Sequence, residues 1–100
     1  MRTSKQMLWW VFSGTKGGYN RALIILELMK DPLNAHQLSQ NLNLDYKTVR
    51  HHLSVLQKNR IIESIGSGYG NCYFLKEMDA NEMEALSGIF QKMGLEVKNE

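Results

Sequence analysis

Residues 44–60, reading LDYKTVRHHLSVLQKNR, combine an apolar stripe with a basic face. Val49, Leu53 and Leu56 recur at the i, i+4, i+7 spacing of one buried side of an α-helix. Asp45 can cap the N-terminus of this helix by accepting a hydrogen bond from a free backbone N–H. The opposite side carries cations and hydrogen-bond donors without an acidic residue: Lys47, His51, Ser54 and Lys58, flanked by Thr48 and Arg50. The pattern predicts a helix suited to a DNA major groove, and a solvated surface helix is the alternative.

The segment just before this stretch predicts a second, shorter helix. Asn34 can cap a helix over residues 35–42, with Ala35, Leu38 and Leu42 on its inner side. Only residues 41–44 then separate it from the Asp45 cap. Two helices joined by so short a turn indicate a helix-turn-helix in which the second helix contacts DNA.

Upstream, two apolar segments predict further helices. Residues 7–12 contain both tryptophans and predict a short helix, or else a strand, buried against the core or against a second subunit. Asn20 can cap a helix over residues 21–30, whose apolar residues lie almost all round and predict a central position. Asp31 and Pro32 end it, because the residue before proline is disfavoured in helical conformation.

A glycine-rich turn, residues 13–18, joins these two segments. It lacks the glycine-lysine-hydroxyl spacing and the strand–loop–helix context of a nucleotide-binding loop. We interpret it as a flexible connection, with a backbone contact to a DNA phosphate as the minor alternative.

After Arg60 the pattern changes from helix to strand. Residues 61–65 and 72–75 are short runs rich in β-branched and aromatic side chains, separated by the glycine-rich residues 66–71. A hairpin after a helix-turn-helix predicts a wing, and hence a mostly α fold with a small β-hairpin (α+β). The wing tip has no lysine or arginine, so a DNA contact there would use hydrogen bonds from Ser67, Tyr69 and Asn71; a purely structural hairpin is the alternative.

The last helix is predicted to begin at a capping box of Asp79 and Glu82 and to end near Gly94. Its apolar residues recur at 3-4-3 spacing, which either closes the core or forms a coiled-coil-like contact with another subunit. We favour a dimer contact shared with the N-terminal apolar segment. Its predicted residues are Leu8, Trp9, Trp10, Phe12, Met83, Leu86, Phe90 and Met93.

Charge and cysteine content narrow the setting. The net charge is only +2, but cations prevail in residues 1–30 and 43–60 and acids in residues 77–100. The single cysteine excludes an internal disulfide and fits a reducing cytoplasm, where Cys72 is expected to be a small apolar strand residue. Neither a signal peptide nor the ~20 apolar residues of a membrane span is evident, so we expect no membrane association.

Residues 34–63, NAHQLSQNLNLDYKTVRHHLSVLQKNRIIE, resemble the ArsR-like winged helix-turn-helix repressors, particularly small archaeal members, and residues 46–53 are the most specific part. The resemblance implies a two-fold dimer formed by the terminal helices. Metal-sensing members carry cysteine pairs or ligands on the terminal helix, whereas this chain has one cysteine and a last helix without histidine. His51 and His52 are adjacent and point about 100° apart, so they cannot share a tetrahedral metal. No metal or cofactor is predicted.

We therefore expect one DNA-binding domain over residues 1–100: an N-terminal segment (1–19), a helical core (20–60), a wing (61–75) and a dimerisation helix (79–94). The predicted function is a homodimeric, sequence-specific regulator of transcription on double-stranded DNA, with an effector that the sequence does not identify. A winged-helix protein-interaction module and a sequence-nonspecific chromatin-like binder are the alternatives. No nucleophile–base pair or paired carboxylates suggest an enzyme.

The DNA-contacting residues are predicted to be Tyr46, Lys47, Thr48, Arg50, His51, Ser54, Lys58, Ser67, Tyr69 and Asn71, while His52 is expected at the edge of the core.

Overall fold

A computed structural model describes residues 5–97 as five helices and a small sheet. Residues 1–4 and 98–100, which include Arg2 and Lys98 of the charge pattern, lie outside the described residues. The helices are α1 Lys5–Phe12, α2 Gly18–Lys30, α3 Ala35–Leu42, α4 Tyr46–Lys58 and α5 Ala80–Lys92. The strands are β1 Leu33–Asn34, β2 Ile62–Ile65 and β3 Cys72–Leu75, with a 3₁₀ turn at Gly68–Gly70 between β2 and β3. The fold is the predicted winged helix-turn-helix of the α+β class.

The helix starts follow the predicted side-chain caps at three of four places. Asn34 and Gln37 form a reciprocal capping box at α3, and Asp79 and Glu82 form another at α5. Asp45 accepts from the backbone N–H groups of Lys47 and Thr48 at the start of α4. The Asn20 prediction is wrong: α2 begins at Gly18, two residues earlier, so Asn20 lies within the helix. The preceding turn is closely packed and supplies no side-chain cap there.

Three helices end in the same arrangement, in which a residue just beyond the last helical turn adopts a left-handed conformation. These residues are Asn43 (φ 53°), Arg60 (φ 59°) and Gly94 (φ 81°). In each case the next N–H bonds a carbonyl five residues back, from Leu44 to Ser39, Ile61 to Leu56 and Leu95 to Phe90. This is the Schellman pattern, which satisfies carbonyls that the helix leaves free. The turn after α4 places Ile61 in the core, where it is fully buried.

The sheet contains one strand more than the predicted hairpin. β2 and β3 pair antiparallel with Ser64 opposite Tyr73, and β1 pairs with the other edge of β3, giving the order β1-β3-β2. β1 has only two residues, Leu33 and Asn34, too few to show an alternating pattern. It ties the segment before α3 to the base of the wing.

A single core lies between α2, the inner faces of α1, α3, α4 and α5, and the base of the wing. Leu8 and Phe12 of α1 and Leu86 and Phe90 of α5 are at most 1% exposed in one chain. The rings of Phe12 and Phe90 meet edge to face with centroids 5.1 Å apart. The structure thus gives these four predicted interface residues contacts within the chain.

None of the helices among residues 5–97 is both long enough and apolar enough to cross a membrane.

Candidate nucleic-acid interface

The outward face of α4 is formed entirely by cations and hydrogen-bonding side chains. Its buried face consists of Val49, His52, Leu53 and Leu56, which hold the helix on the core. The exposed side chains are Lys47, Arg50, His51, Ser54, Gln57 and Lys58. Tyr46 and Thr48 are partly exposed at the first turn. Among the described residues of α4, therefore, no carboxylate opposes a negatively charged ligand.

The direction of α4 is fixed at both ends. At the start, the Asp45 carboxylate is 3.1 Å from Lys47 N and 3.4 Å from Thr48 N. Near the end, Gln57 Nε2 donates to Ser64 Oγ of β2 at 2.9 Å. Because these contacts join α4 to the turn before it and to the wing, the basic face is carried on a well-anchored helix.

Arg50 lies where α4 faces the wing. A hydrogen bond with Tyr46, together with the nearby Tyr73 and Tyr69 hydroxyls, raises the pKa of Arg50 above its ordinary value. A narrow cleft beside it is also lined by His36 and Asn71. Arg50 is therefore a permanent cation with hydroxyl groups around it, and its guanidinium remains exposed to solvent.

The three predicted wing residues lie together at the loop between β2 and β3. Ser67 is exposed and directly precedes the 3₁₀ turn, and Tyr69 within that turn is 88% exposed. Asn71 is partly buried: its Nδ2 donates to Tyr73 OH at 3.3 Å, while its Oδ1 is buried without a partner. Exchanging the two amide atoms would leave Nδ2 unpaired instead, so one polar atom of Asn71 lacks a partner in either orientation.

Two basic residues discussed from the sequence, Arg21 and His52, are buried and do not lie at this surface. Arg21 was counted among the cations of residues 1–30 in the charge pattern. It is only 5% exposed, so it does not contribute to a basic surface. His52 is also 5% exposed, as expected for a residue at the edge of the core. The two contact each other, with Arg21 Nη1 3.2 Å from His52 Nδ1. Apart from the apolar neighbours of both residues, nothing in the sequence indicated this pairing.

The predicted interface residues that remain at the surface lie on α1 and α5. Trp9 and Trp10 are 51% and 54% exposed, and Met83 and Met93 are partly buried. An open groove between the two helices is lined by the apolar or small residues Trp9, Ala85, Gly88 and Ile89 and by the charged residues Lys5, Glu84 and Lys92.

No group of three or more histidine, cysteine, aspartate or glutamate side chains that could hold a metal occurs within residues 5–97. Cys72 is a partly buried free thiol on β3. His51 and His52 have ring centroids 5.6 Å apart at a tilt of 56°.

This arrangement defines a winged helix-turn-helix protein with a basic second helix. Residues 19–64 match the family model described as "Bacterial regulatory protein, arsR family". The matched region runs from α2 through α4 into β2, so the predicted ArsR-like resemblance is confirmed there. The finer comparison with small archaeal members stays a prediction. The match over these residues supports a DNA-binding regulator of transcription rather than an enzyme.

Among solved structures, the chain is similar to the transcriptional repressor BigR from Xylella fastidiosa, with a TM-score of 0.58 and 23% sequence identity. The similarity covers 80% of this chain and 77% of that chain. At this identity the likeness establishes the fold. No curated protein matches the sequence.

Proposed function

We propose that the protein is a homodimeric, sequence-specific regulator that inserts α4 into the major groove of double-stranded DNA. The observation that carries this proposal is the face of α4, whose exposed side chains are all cations or hydrogen-bonding groups. Such a face matches both the phosphates that flank a groove and the base edges within it. The whole chain would act as one DNA-binding domain, and a reducing cytoplasm suits its free Cys72.

Within this face, position along α4 suggests separate roles. We assign Lys47 and Lys58 to phosphates, since they lie near opposite ends of the helix. Arg50, Thr48, His51 and Ser54 lie between them and are assigned to base edges, where a guanidinium can form a bidentate pair with guanine. Tyr46 would place its hydroxyl against a phosphate beside Arg50.

The wing is assigned a neutral contact with DNA. Tyr69 is almost fully exposed at the tip, and Ser67 precedes it. Hydroxyl and backbone N–H groups can bind phosphates without a formal charge. The polar atom of Asn71 that has no partner within the described residues would gain one from DNA or from an ordered water.

The dimer is assigned to the α1 and α5 side. Two adjacent tryptophans, each about half exposed, present large apolar area next to an open groove. A two-fold axis there would pair Trp9, Trp10, Met83 and Met93 of two chains, while Leu8, Phe12, Leu86 and Phe90 support the surface from beneath. Two α4 helices would then address half-sites about 34 Å apart on one face of the duplex.

The DNA proposal is tested by fluorescence anisotropy with a duplex from upstream of the protein's own gene and a scrambled duplex. If a dimer neutralises roughly eight phosphates, log K should fall with log salt at a slope of about −7. Lys47→Ala should weaken binding to both duplexes and reduce the slope. Lys30→Ala removes another exposed lysine, at the end of α2, whose ammonium group already pairs with Glu27 at 3.3 Å, and it should change neither.

Base recognition is tested on the same two duplexes. Arg50→Ala should reduce the preference for the genomic duplex, at a cost of about 1–3 kcal/mol on that duplex alone. Equal losses on both duplexes would contradict the assignment of Arg50 to base edges. Sequence-blind binding by the wild type would favour a chromatin-like binder, and no binding at low salt would favour a protein-interaction module.

The dimer is tested by light scattering after size-exclusion chromatography. We expect a mass of two chains for the wild type and of one chain for Trp10→Glu. Tyr19→Glu charges another aromatic residue of equal exposure, on α2, and should remain dimeric. A wild-type mass of one chain at high protein concentration would refute the dimer.

A further inference from the structure

Arg21 lies buried where α1, α2 and α4 meet, and its guanidinium contacts three separate parts of the chain. Nε donates to the carbonyl oxygen of Val11 at 3.0 Å, and Nη2 donates to the hydroxyl of Thr15. Nη1 lies 3.2 Å from Nδ1 of His52. The Val11 carbonyl belongs to the last turn of α1, where helix carbonyls lack internal partners and a cation is favourable. Arg21 therefore joins the end of α1 to the middle of α4.

The contact with His52 requires one protonation state of the imidazole. A guanidinium only donates hydrogen bonds, so Nδ1 must accept and the ring must be neutral, with its proton on Nε2. A protonated ring would have no acceptor and would place two cations 3.2 Å apart in a buried position. The geometry thus depends on an uncharged His52.

The turn before α2 leaves room for this contact. A Cβ atom at Gly17 would lie 2.7 Å from both Nη1 of Arg21 and Cε1 of His52. These distances are shorter than van der Waals contact, so any larger residue would push against both groups. The close approach of Arg21 and His52 therefore explains why position 17 is occupied by glycine.

Burial and the neighbouring charges all favour the neutral form of His52. Burial, then Arg21 on α2 and His51 on α4, lower the pKa of His52 below its ordinary value. α1 and its following turn contribute neutral acceptors, Val11 and Thr15, to Arg21. Neither the hydrogen bonds nor the charges acting on His52 within residues 5–97 include a carboxylate that could offset its protonation.

We propose that Arg21 and His52 are positioning residues that hold α4 in its DNA-binding orientation, and that DNA binding requires the neutral form of His52. This inference rests on the proposed function, in which α4 enters the major groove. His52 follows His51 and lies one turn beyond Thr48, so a displacement at His52 moves the predicted base-contacting side chains. Acidification then weakens DNA binding by disrupting an internal contact.

The test compares wild type with His52→Gln at constant ionic strength between about pH 8 and pH 5. Glutamine keeps an oxygen that can accept from Arg21 but cannot be protonated. If only the neutral form binds, affinity for the genomic duplex falls about tenfold per pH unit below the pKa for each His52 involved, and so by up to about a hundredfold for a dimer. The His52→Gln variant should show no such fall.

His51→Gln is the matched control, because it removes the adjacent exposed imidazole and leaves the internal contact intact. His51→Gln should therefore retain the acid-induced loss of affinity, measured against its own affinity at about pH 8. Circular dichroism at each pH confirms that all variants remain folded.

Identical pH profiles for wild type and His52→Gln would overturn the proposal, as would a wild-type affinity that does not decrease. A separate NMR titration distinguishes this failure from failure of the proposed function. If no variant binds DNA at about pH 8, major-groove binding fails. The positioning role is then supported if the backbone amide shifts of α1 and α4 move together as His52 titrates and stay unchanged in His52→Gln. It is overturned if the shifts of the wild type do not move, or if His52→Gln shows the same movement.

Discussion

Replacing Gly18 by alanine tests whether the turn between α1 and α2 depends on close backbone packing. A Cβ atom at this position would lie 1.8 Å from the carbonyl oxygen of Phe12 and 2.4 Å from its carbonyl carbon. A relaxed C···O contact is about 3.3 Å, so the two helices would have to separate by roughly 1.5 Å. Both sides are backbone, and neither can be relieved by rotating a side chain.

The cost follows from what α1 contributes to the core. Leu8, Val11 and Phe12 are each at most 1% exposed, and full burial of one such side chain is worth about 1.5–3 kcal/mol. Partial loss of their packing gives an expected destabilisation of about 3 kcal/mol, a large part of the ~5–15 kcal/mol typical of a small domain. With a urea slope near 1.5 kcal/mol/M, the midpoint should fall by about 2 M.

Urea unfolding followed by circular dichroism, at one protein concentration, measures this shift. Gly70→Ala is the matched control: Gly70 lies in the exposed 3₁₀ turn of the wing and an added Cβ would meet nothing within 4 Å. That variant should change the free energy of unfolding by less than about 0.5 kcal/mol. A Gly18→Ala midpoint equal to that of the wild type would refute the argument from close packing.

Three further changes have expected outcomes in the same unfolding assay. Arg60→Gly should stabilise by about 0.5–1 kcal/mol, because glycine adopts the left-handed conformation at this position without steric cost; a loss would mean that the arginine side chain contributes more than its backbone costs. Phe90→Ala should destabilise by about 3–5 kcal/mol if its ring closes the core of a single chain, and a change below about 1 kcal/mol would contradict that role. Folding lowers the pKa of His52, so the unfolded chain binds more protons than the folded chain just below the ordinary histidine pKa. The free energy of unfolding should therefore decrease as pH falls through about 6.5. His52→Gln should remove the part of this decrease that is due to His52.

The features predicted correctly from sequence are those decided by neighbouring residues. Asn34, Asp45 and Asp79 cap helices as expected, because a short polar side chain needs only the N–H groups two or three residues onward. The apolar spacing of α4 likewise identified Val49, Leu53 and Leu56 as its buried side. The exposed side then follows from helical geometry, which is why the candidate DNA-binding residues could be selected from the sequence.

The glycine-rich turn shows where this reasoning stops. Its residues resembled a flexible connection or a backbone contact for phosphate, yet Gly17 and Gly18 are required by atoms of other segments. β1 is a similar case, since two residues form a strand only because β3 offers a free edge. A local pattern contains no information about the partner that makes either feature necessary.

Sequence alone determined the winged helix-turn-helix order, the basic face of α4 and the ArsR-like character of residues 34–63, since each depends on spacing within a few turns. The tertiary structure decided what the apolar and charged groups meet. Leu86 and Phe90 lie on a stripe that fits a dimer equally well, and packing against α1 gives them a place in the core. Arg21 and His52 are 31 residues apart, and only the folded chain brings them together. Periodicity defines which side of a helix is apolar, whereas the opposing surface is selected by the simultaneous packing of all the elements.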